Sequence, residues 1–383
     1  MNSILIIAGE NSGEKYGAGL VREFKKLQPS FSFYGIGGKQ MAAQGVEILF
    51  PMEELAVVGA VEILSSVPRI LKIFRRIQDE SKRRSPRAAV LIDSPDFNLR
   101  LANRLNKISV PVLYYVSPTV WAWREGRLKK IKKYVSRMLL IFPFEEKIYK
   151  KRDIPHTFVG HPLLEQLRVT LSREEFFVKY GLTSKTRLIT LLPGSRRSEF
   201  RFHMPVLLAT LKKLRQAFPC QFVLARAESL DKNYVASFIP ETLGDLKILS
   251  ADHYEAMAYA DLVFSACGTA TLETALLGTP LVAFYRLSPL SYSMGVKLMK
   301  IKDYSIVNIL AGQRVIPELI QNRFTPENLF AEAKKILESE KIRAEMKESF
   351  QKIKTDLGET GASEKAAREL ERLVRSPSPV TDS

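Results

Sequence analysis

The chain is poor in the residues that hold metals and disulfides. Its 383 residues include two cysteines, Cys220 and Cys267, and four histidines, His156, His161, His203 and His253. Two thiols this far apart form neither a zinc spacing nor a disulfide framework, and they fit a reducing compartment. No two histidines stand at an H-x-x-x-H interval, so no metal site is expected. Long apolar runs are missing too. The first nine residues hold one short run, Ile4–Ala8, with no basic segment before it, which is not a secretory leader. No stretch reaches the roughly 18 consecutive apolar residues of a membrane span. A soluble or surface-held protein is expected. Acidic charge is scarce as well: 41 Asp+Glu face 58 Lys+Arg, for a net charge of +17. Residues 1–168 carry most of the excess, with 28 basic against 16 acidic side chains. Anionic partners follow: a phospholipid surface, a phosphorylated substrate or nucleic acid.

What the chain does contain is alternation. With 46% hydrophobic residues it can build two cores of ordinary domain size. The apolar runs Ile4–Ala8, Ala88–Ile92, Val110–Val116 and Met138–Phe142 read as buried parallel strands. Helical patterns fall between them at Tyr16–Leu27, Asn98–Lys107 and Arg124–Val135. The pattern restarts at Arg187–Leu192, with a helix over Pro205–Phe218 and strands at Gln221–Ala225, Leu262–Phe264 and Pro280–Phe284. This predicts an α/β protein with two Rossmann-like, doubly wound sheets. The runs Ser3–Gly9 and Leu188–Gly194 are both apolar strands ending at a glycine before a helix, one architecture used twice. The predicted division is a first domain over 1–168 and a second over 169–350, hinged near 168–185. Helices over 351–375 would pack back on the first domain, and 376–383 would be a disordered tail. Two such sheets facing each other leave a cleft at their C-terminal strand ends, where ligands bind.

Four loops at strand ends can carry chemistry. In Gly9-Glu-Asn-Ser-Gly-Glu14, the glycines admit close backbone approach, while Glu10 and Glu14 argue against a phosphate cradle. A sugar-hydroxyl site at Glu10, Asn11 and Ser12 is one reading, and a helix cap by Ser12 the plainer one. In Ile92-Asp-Ser-Pro-Asp-Phe-Asn98, Asp93 ends a strand and faces the cleft, placed to act as a general base. Ser94 or Asp96 would cap a helix starting near Phe97, and Asp96 and Asn98 lean to structural roles. In Leu192-Pro-Gly-Ser-Arg-Arg-Ser-Glu199, Arg196 ahead of Arg197 offers a planar fork to a diphosphate. In the stretch 261–280, a strand gives way to Gly268, Thr269 and Ala270 at a helix start that suits a phosphate. Glu273, one turn on, suits ribose hydroxyls, and Thr271 reads as an ordinary cap. Cys267 is a small turn residue rather than a nucleophile, since no histidine adjoins it. His161 follows a strand end, either lining the cleft or satisfied structurally.

The stretch 56–76 is the most amphipathic in the chain. Ile63, Val67, Ile70, Leu71 and Phe74 recur at helical spacing, with Arg69, Lys72, Arg75 and Arg76 beside them, and Val61 and Leu64 join the candidate membrane set. Such a helix either packs its apolar side into the core or lies in an anionic bilayer interface. Val57, Val58 and Val61 widen the apolar surface and favour the membrane. The stretch 292–300 is a shorter candidate of the same kind.

Several of these runs resemble the lipid A disaccharide synthases: Ala8–Gly13, Met52–Val57, Ile92–Asn98, Tyr115–Arg124, Phe142–Glu145, Leu192–Arg196 and Gly268–Glu273. The Trp121-Ala-Trp-Arg124 run is the most specific, and both tryptophans of the chain lie in it. The resemblance implies a GT-B glycosyltransferase that uses neither metal nor cofactor. It would move 2,3-diacylglucosamine from UDP-2,3-diacylglucosamine to the 6-hydroxyl of 2,3-diacylglucosamine 1-phosphate, with inversion. The products would be a β(1→6) disaccharide 1-phosphate and UDP. By the same resemblance Asp93 would be the base, and Arg196, Gly268, Thr269 and Ala270 would hold the diphosphate. Glu273 would hold ribose, Asn308 would stand in the donor site, and Trp121 and Arg124 would belong to the acceptor side. The basic helix would dock on the inner face of the bacterial inner membrane. Glu14, Cys267 and Val307 depart from the family's usual Asp, Ser and Pro. A homodimer is left open.

Two other readings compete. A UDP-N-acetylglucosamine 2-epimerase would share the nucleotide half but needs no basic apolar surface. A basic nucleic-acid binder would explain the charge and predicts salt-sensitive oligonucleotide binding. It leaves the Asp93 and Glu273 loops without a task, and no nucleic-acid module is present. The reading adopted has no nucleic-acid partner.

Overall fold

A computed structural model describes the backbone of residues 2–55, 60–120, 126–287 and 303–375, and their side chains except within 60–67. The expectations on Val57, Val58, Val61, Ile63, Leu64 and Val67 lie outside the described side chains. Those on the Trp121–Arg124 run, the 292–300 stretch and the 376–383 tail lie outside the described residues.

The chain divides into two compact units, Met1–Glu165 with Leu357–Ser383, and Gln166–Asp356. The first is built on seven strands: β1 (Ser3–Ala8), β2 (Ser32–Gly37), β3 (Val46–Pro51), β4 (Ala88–Ile92), β5 (Val112–Tyr115), β6 (Arg137–Leu140) and β7 (His156–Phe158). They lie in the order β3-β2-β1-β4-β5-β6-β7, every neighbouring pair parallel. The second holds β8 (Arg187–Leu192), β9 (Cys220–Ala225), β10 (Lys247–Leu249), β11 (Leu262–Ala266), β12 (Leu281–Tyr285) and β13 (Glu318–Ile320). Their order is β10-β9-β8-β11-β12-β13, again parallel throughout. A strand covered by helices on both faces has no wet side, so β1 and β4 are apolar and buried at every position apart from Ser3. In both sheets the winding reverses beside the first strand. Between β1 and β4, and between β8 and β11, crossover helices leave to opposite faces and open a crevice at the carboxyl ends.

The helix Asn11–Leu27 covers β1 through Tyr16, Leu20, Val21 and Phe24, all in one buried cluster with Ile4 and Ile6. The last helix, Ala362–Arg375, adds Ala366, Ala367, Leu370 and Val374 to that cluster. Gly19 permits the close crossing: a Cβ there would lie 2.5 Å from Ser363 Oγ.

Several elements differ from expectation. The chain crosses between Glu165 and Gln166, just before the expected 168–185, and the helix Arg173–Tyr180 belongs to the second unit. Its Phe176 and Phe177 pack on Leu188, Val223, Leu249 and Ala256. The C-terminal return begins at Leu357 rather than 351, since the helix Glu340–Asp356 stays with the second unit. The helix predicted from Pro205 starts at Arg197, with Pro205 inside it. Phe200, Met204, Leu207, Leu211 and Leu214 keep a helical period across the proline and are buried. That burial outweighs the one hydrogen bond the proline removes. In the helix Ala60–Arg84, the core contacts are made by Ile73 and Ile77. Phe74 turns inward against Phe97, ring centroids 5.6 Å apart, so it is not an open lipid-facing residue. Leu71 is 48% exposed, beside exposed Pro68, Lys72, Arg75 and Arg76, while Ile70 is half-buried.

Candidate active site

The first-unit site grows from the end of β4. Ala8 of β1 pairs with Ile92 of β4, so the loops after both strands leave side by side at the crevice. Gly9 lets the two loops approach closely: a Cβ would sit 2.3 Å from Ser94 Oγ. Asp93 and Ser94 both adopt left-handed backbone, at φ 49° and 41°. Each such non-glycine residue costs on the order of 1 kcal/mol or more and survives only where its surroundings hold it. Here Asp93 N donates to Tyr115 O at 3.0 Å. The Asp93 carbonyl accepts from Asn98 Nδ2 at 2.8 Å and Tyr114 Oη at 2.5 Å. Asn98 is buried and also reaches Ile92 O at 3.1 Å. It is a clamp on the turn.

The electrostatics follow from this placement. Burial lifts the Asp93 carboxyl to about 6, and the Glu10 carboxylate pushes it the same way. The Ser94 N–H and the Arg127 guanidinium pull it back. Glu10 occupies the N-cap position of the helix Asn11–Leu27 without a side-chain cap. Glu10 and Asn11 are exposed and Ser12 is half-buried in the first turn, so Ser12 is not the cap. Nor does Ser94 cap through its side chain, and the next helix starts at Pro95, not Phe97. Asp96 is exposed and pairs at 3.0 Å with the buried Arg127.

Glu14 turns away from the crevice. It is buried and accepts from Gln40 N at 2.7 Å, closing the start of the short helix Lys39–Ala43. Gly38 leaves room for that longer carboxylate: a Cβ there would lie 2.6 Å from Glu14 Oε1. His161 does not line a crevice either. It is 2% exposed, packed edge-on to Tyr16 and tilted against Phe142, with Nδ1 accepting from Leu163 N at 3.2 Å. Burial lowers its pKa to about 3, so it is neutral and structural.

The second-unit site has the same plan. Leu192 of β8 pairs with Ser265 of β11, so the loops 193–196 and 267–270 adjoin. Gly194 needs its positive φ of 110°. Arg196 is the N-cap of the helix Arg197–Ala217, with its side chain 50% exposed and one nitrogen 3.3 Å from Glu199. Gly268 and Thr269 are exposed at the start of the helix Thr269–Leu276, whose first amides carry its positive dipole end. Thr271 bonds back to Gly268 O at 2.7 Å. Glu273, one turn in, is half-buried and accepts from Tyr254 Oη at 3.4 Å. Burial drives the Cys267 thiol pKa well up, so no reactive thiolate stands here.

Asn308, expected in the donor site, is held within the second unit. It is wholly buried. Nδ2 donates to Ile316 O at 3.0 Å and Glu318 Oε1 at 2.7 Å. Oδ1 accepts from Val315 N at 2.8 Å and Ile316 N at 3.0 Å. All four bonding positions of the amide are filled from within the unit, so Asn308 shapes the approach to β13.

The sequence reading gave no task to Arg127, Tyr114, Glu199, His203 or Tyr285, all of which brace these loops. One signal was available: a glutamate three residues after a helix's first cap position, as Glu199 stands to Arg196. Among the described residues, no cluster of three or more His, Cys, Asp or Glu could hold a metal, and no helix is long and apolar enough to cross a membrane.

Solved structures with the same pair of sheets include a UDP-N-acetylglucosamine 2-epimerase from Neisseria meningitidis bound to UDP-GlcNAc. Its TM-score is 0.65 at 11% identity, covering 97% of this chain and 100% of that one. A calicheamicin glycosyltransferase gives 0.65 at 14%, covering 98% and 100%. The architecture is the GT-B fold of nucleotide-sugar glycosyltransferases. Residues 4–371 match the lipid-A-disaccharide synthetase family. The lipid-A-disaccharide synthases of Geobacter sulfurreducens and Solibacter usitatus are 40% and 39% identical over 95% and 98% of this chain, with the same shares of their own lengths. The chain therefore belongs to the lipid-A-disaccharide synthase family, glycosyltransferases of lipid A biosynthesis that use a UDP-sugar donor.

Proposed function

We propose that the second unit holds the UDP half of UDP-2,3-diacylglucosamine and that the first unit activates the acceptor, 2,3-diacylglucosamine 1-phosphate. The Asp93 carboxylate takes the proton of the acceptor 6-hydroxyl. The oxygen attacks the anomeric carbon opposite the UDP group, the bond from that carbon to the diphosphate oxygen breaks, and UDP leaves with the electron pair. The configuration inverts and Asp93 ends protonated. The observation that carries this reading is Asp93 itself: a clamped, left-handed carboxyl at a switch point, lifted to about 6 and so largely ionised near neutrality. Glu10, Asn11 and Ser12 are the groups available to acceptor hydroxyls. Arg196 and the amides of 268–270 take up the charge that grows on the diphosphate, and Glu273 meets the ribose.

The half-exposed edge of the helix Ala60–Arg84 supports docking on an anionic bilayer at the inner face of the inner membrane. Phe50, Pro68, Leu71, Lys72, Arg75, Arg76 and Asp79 line an open groove there.

The test is release of UDP from the donor in detergent micelles, with and without acceptor, in wild type and Asp93→Asn. Acceptor-dependent release in wild type, falling by about 10²-fold or more in a folded Asp93→Asn, is the expected result. Full activity in the variant removes Asp93 as the base. No release from folded wild type removes the reaction.

A further inference from the structure

The diphosphate loop already contains an anion, and it is the protein's own. Glu199, 8% exposed in the first turn of the helix Arg197–Ala217, sits beneath residues 194–196. Its Oε2 accepts from Ser195 N at 3.1 Å and Arg196 N at 3.3 Å. Its Oε1 accepts from the Arg196 guanidinium at 3.3 Å and from Tyr285 Oη, at the end of β12, at 2.9 Å. Gly194 makes room for it, since a Cβ there would lie 2.5 Å from Glu199 Oε2. Two successive amides, a guanidinium and a phenol are the donors an external phosphate would seek, and one buried carboxylate takes a bond from each.

From this geometry we propose that Glu199 is a positioning residue of the diphosphate site. It fixes the 194–196 turn and the base of the Arg196 side chain, so that the guanidinium meets the diphosphate already oriented. The inference rests on Arg196 binding the diphosphate. Two effects oppose each other. The carboxylate repels a second anion, and it also removes the disorder of the loop and of a long side chain. Glu199 is already paired with Arg196, which cancels much of the repulsion, so the ordering effect wins. The 195 and 196 amides are occupied by Glu199. Among the described residues, the start of the helix Thr269–Leu276 offers further amides to the ligand's phosphates.

The experiment compares the dissociation constants of UDP and uridine for the full chain by calorimetry. The variants are Glu199→Gln, which keeps the shape, and Arg196→Ala. Glu199→Gln is expected to weaken UDP by about tenfold, the scale of a charged hydrogen bond, and to leave uridine unchanged. Arg196→Ala is expected to do the same, and the double variant to lose little more than either alone. Should Glu199→Gln not fold, Glu199→Asp retracts the charge by one methylene and is expected to give the same selective loss. Tighter UDP binding in Glu199→Gln, equal weakening of UDP and uridine, or losses that simply add in the double variant would overturn the positioning role. If Arg196→Ala leaves the UDP-to-uridine ratio unchanged, the diphosphate reading of Arg196 falls, and the positioning role with it.

Discussion

Asp93 occupies backbone space that most side chains avoid, and the surrounding bonds exist to keep it there. Tyr114 Oη and Asn98 Nδ2 bond its carbonyl, while its carboxyl accepts from the Ser94 N–H. The pH dependence follows. A base must be ionised to act, so activity is present above about 6 and falls as pH drops through that value. Glu10 raises this pKa through its negative charge. Glu10→Gln should therefore shift the acid limb of kcat/KM to lower pH, read from initial rates between pH 4.5 and 8 (roughly the window around the reference carboxylate and histidine values). A limb that stays in place would mean another group sets it. Of the residues singled out from sequence, those whose neighbours come from other elements could not be settled along the chain. Asn308, expected in the donor site, is bonded by Glu318, ten residues on, which the sequence could not place opposite it. His161 was left open between crevice and core, and its partners Tyr16 and Phe142 come from other elements.

At the scale of elements, the strands legible from sequence were those near the middle of each sheet. β1, β4, β5 and β6, and β8, β9, β11 and β12, are apolar runs because both of their faces are covered. The four edge strands β3, β7, β10 and β13 went unseen. Three of them are only three residues long, and none is as buried as β1. β2 was hidden by its glycines. Gly35 has φ 153° and lies where a Cβ would strike the Ile6 carbonyl, so a strand interior carries a residue that usually weakens one. The helix Ala60–Arg84 shows the limit of periodicity. Its pattern placed Ile70, Leu71 and Phe74 on one apolar side, whereas Ile73 and Ile77 face the core and Leu71 faces out. The membrane reading therefore rests on the outward edge. Leu71→Glu with Arg75→Glu should leave the melting temperature unchanged and cut binding to vesicles of anionic phospholipid by about tenfold or more, measured by co-sedimentation. Unchanged binding would assign the docking surface elsewhere.

At the scale of the whole molecule, the first unit is completed by the chain's far end. Glu165 accepts from Gly361 N and Ser363 N, both at 2.9 Å, which anchors the start of the last helix. Gln28 then bonds Glu371 at 2.8 Å across the helix pair. Removing 357–375 would expose the side of the helix Asn11–Leu27 that Ala366, Ala367, Leu370 and Val374 now cover. Burying one leucine or valine is worth about 1.5–3 kcal/mol, against a total stability of about 5–15 kcal/mol for a domain. A chain ending at Asp356 should lose cooperative melting of the first unit and become protease-sensitive within residues 1–165, while the second unit stays resistant. Equal resistance of both units would reduce the last helix to an appendage.

The sequence by itself determined the class of the fold and which residues stand at the strand ends. Buried parallel strands must be continuously apolar, and a loop that meets a ligand must break that run with glycine and a charged or polar side chain. Both signals are local, so Asp93, Arg196 and Gly268 were readable as strand-end residues. The tertiary structure alone decided which of those groups remain available. Whether a side chain faces a ligand or is spent on a neighbour depends on what the fold brings opposite it. For Glu14, His161, Glu199 and Asn308 that partner lies in another turn or another element, beyond the reach of any pattern along the chain.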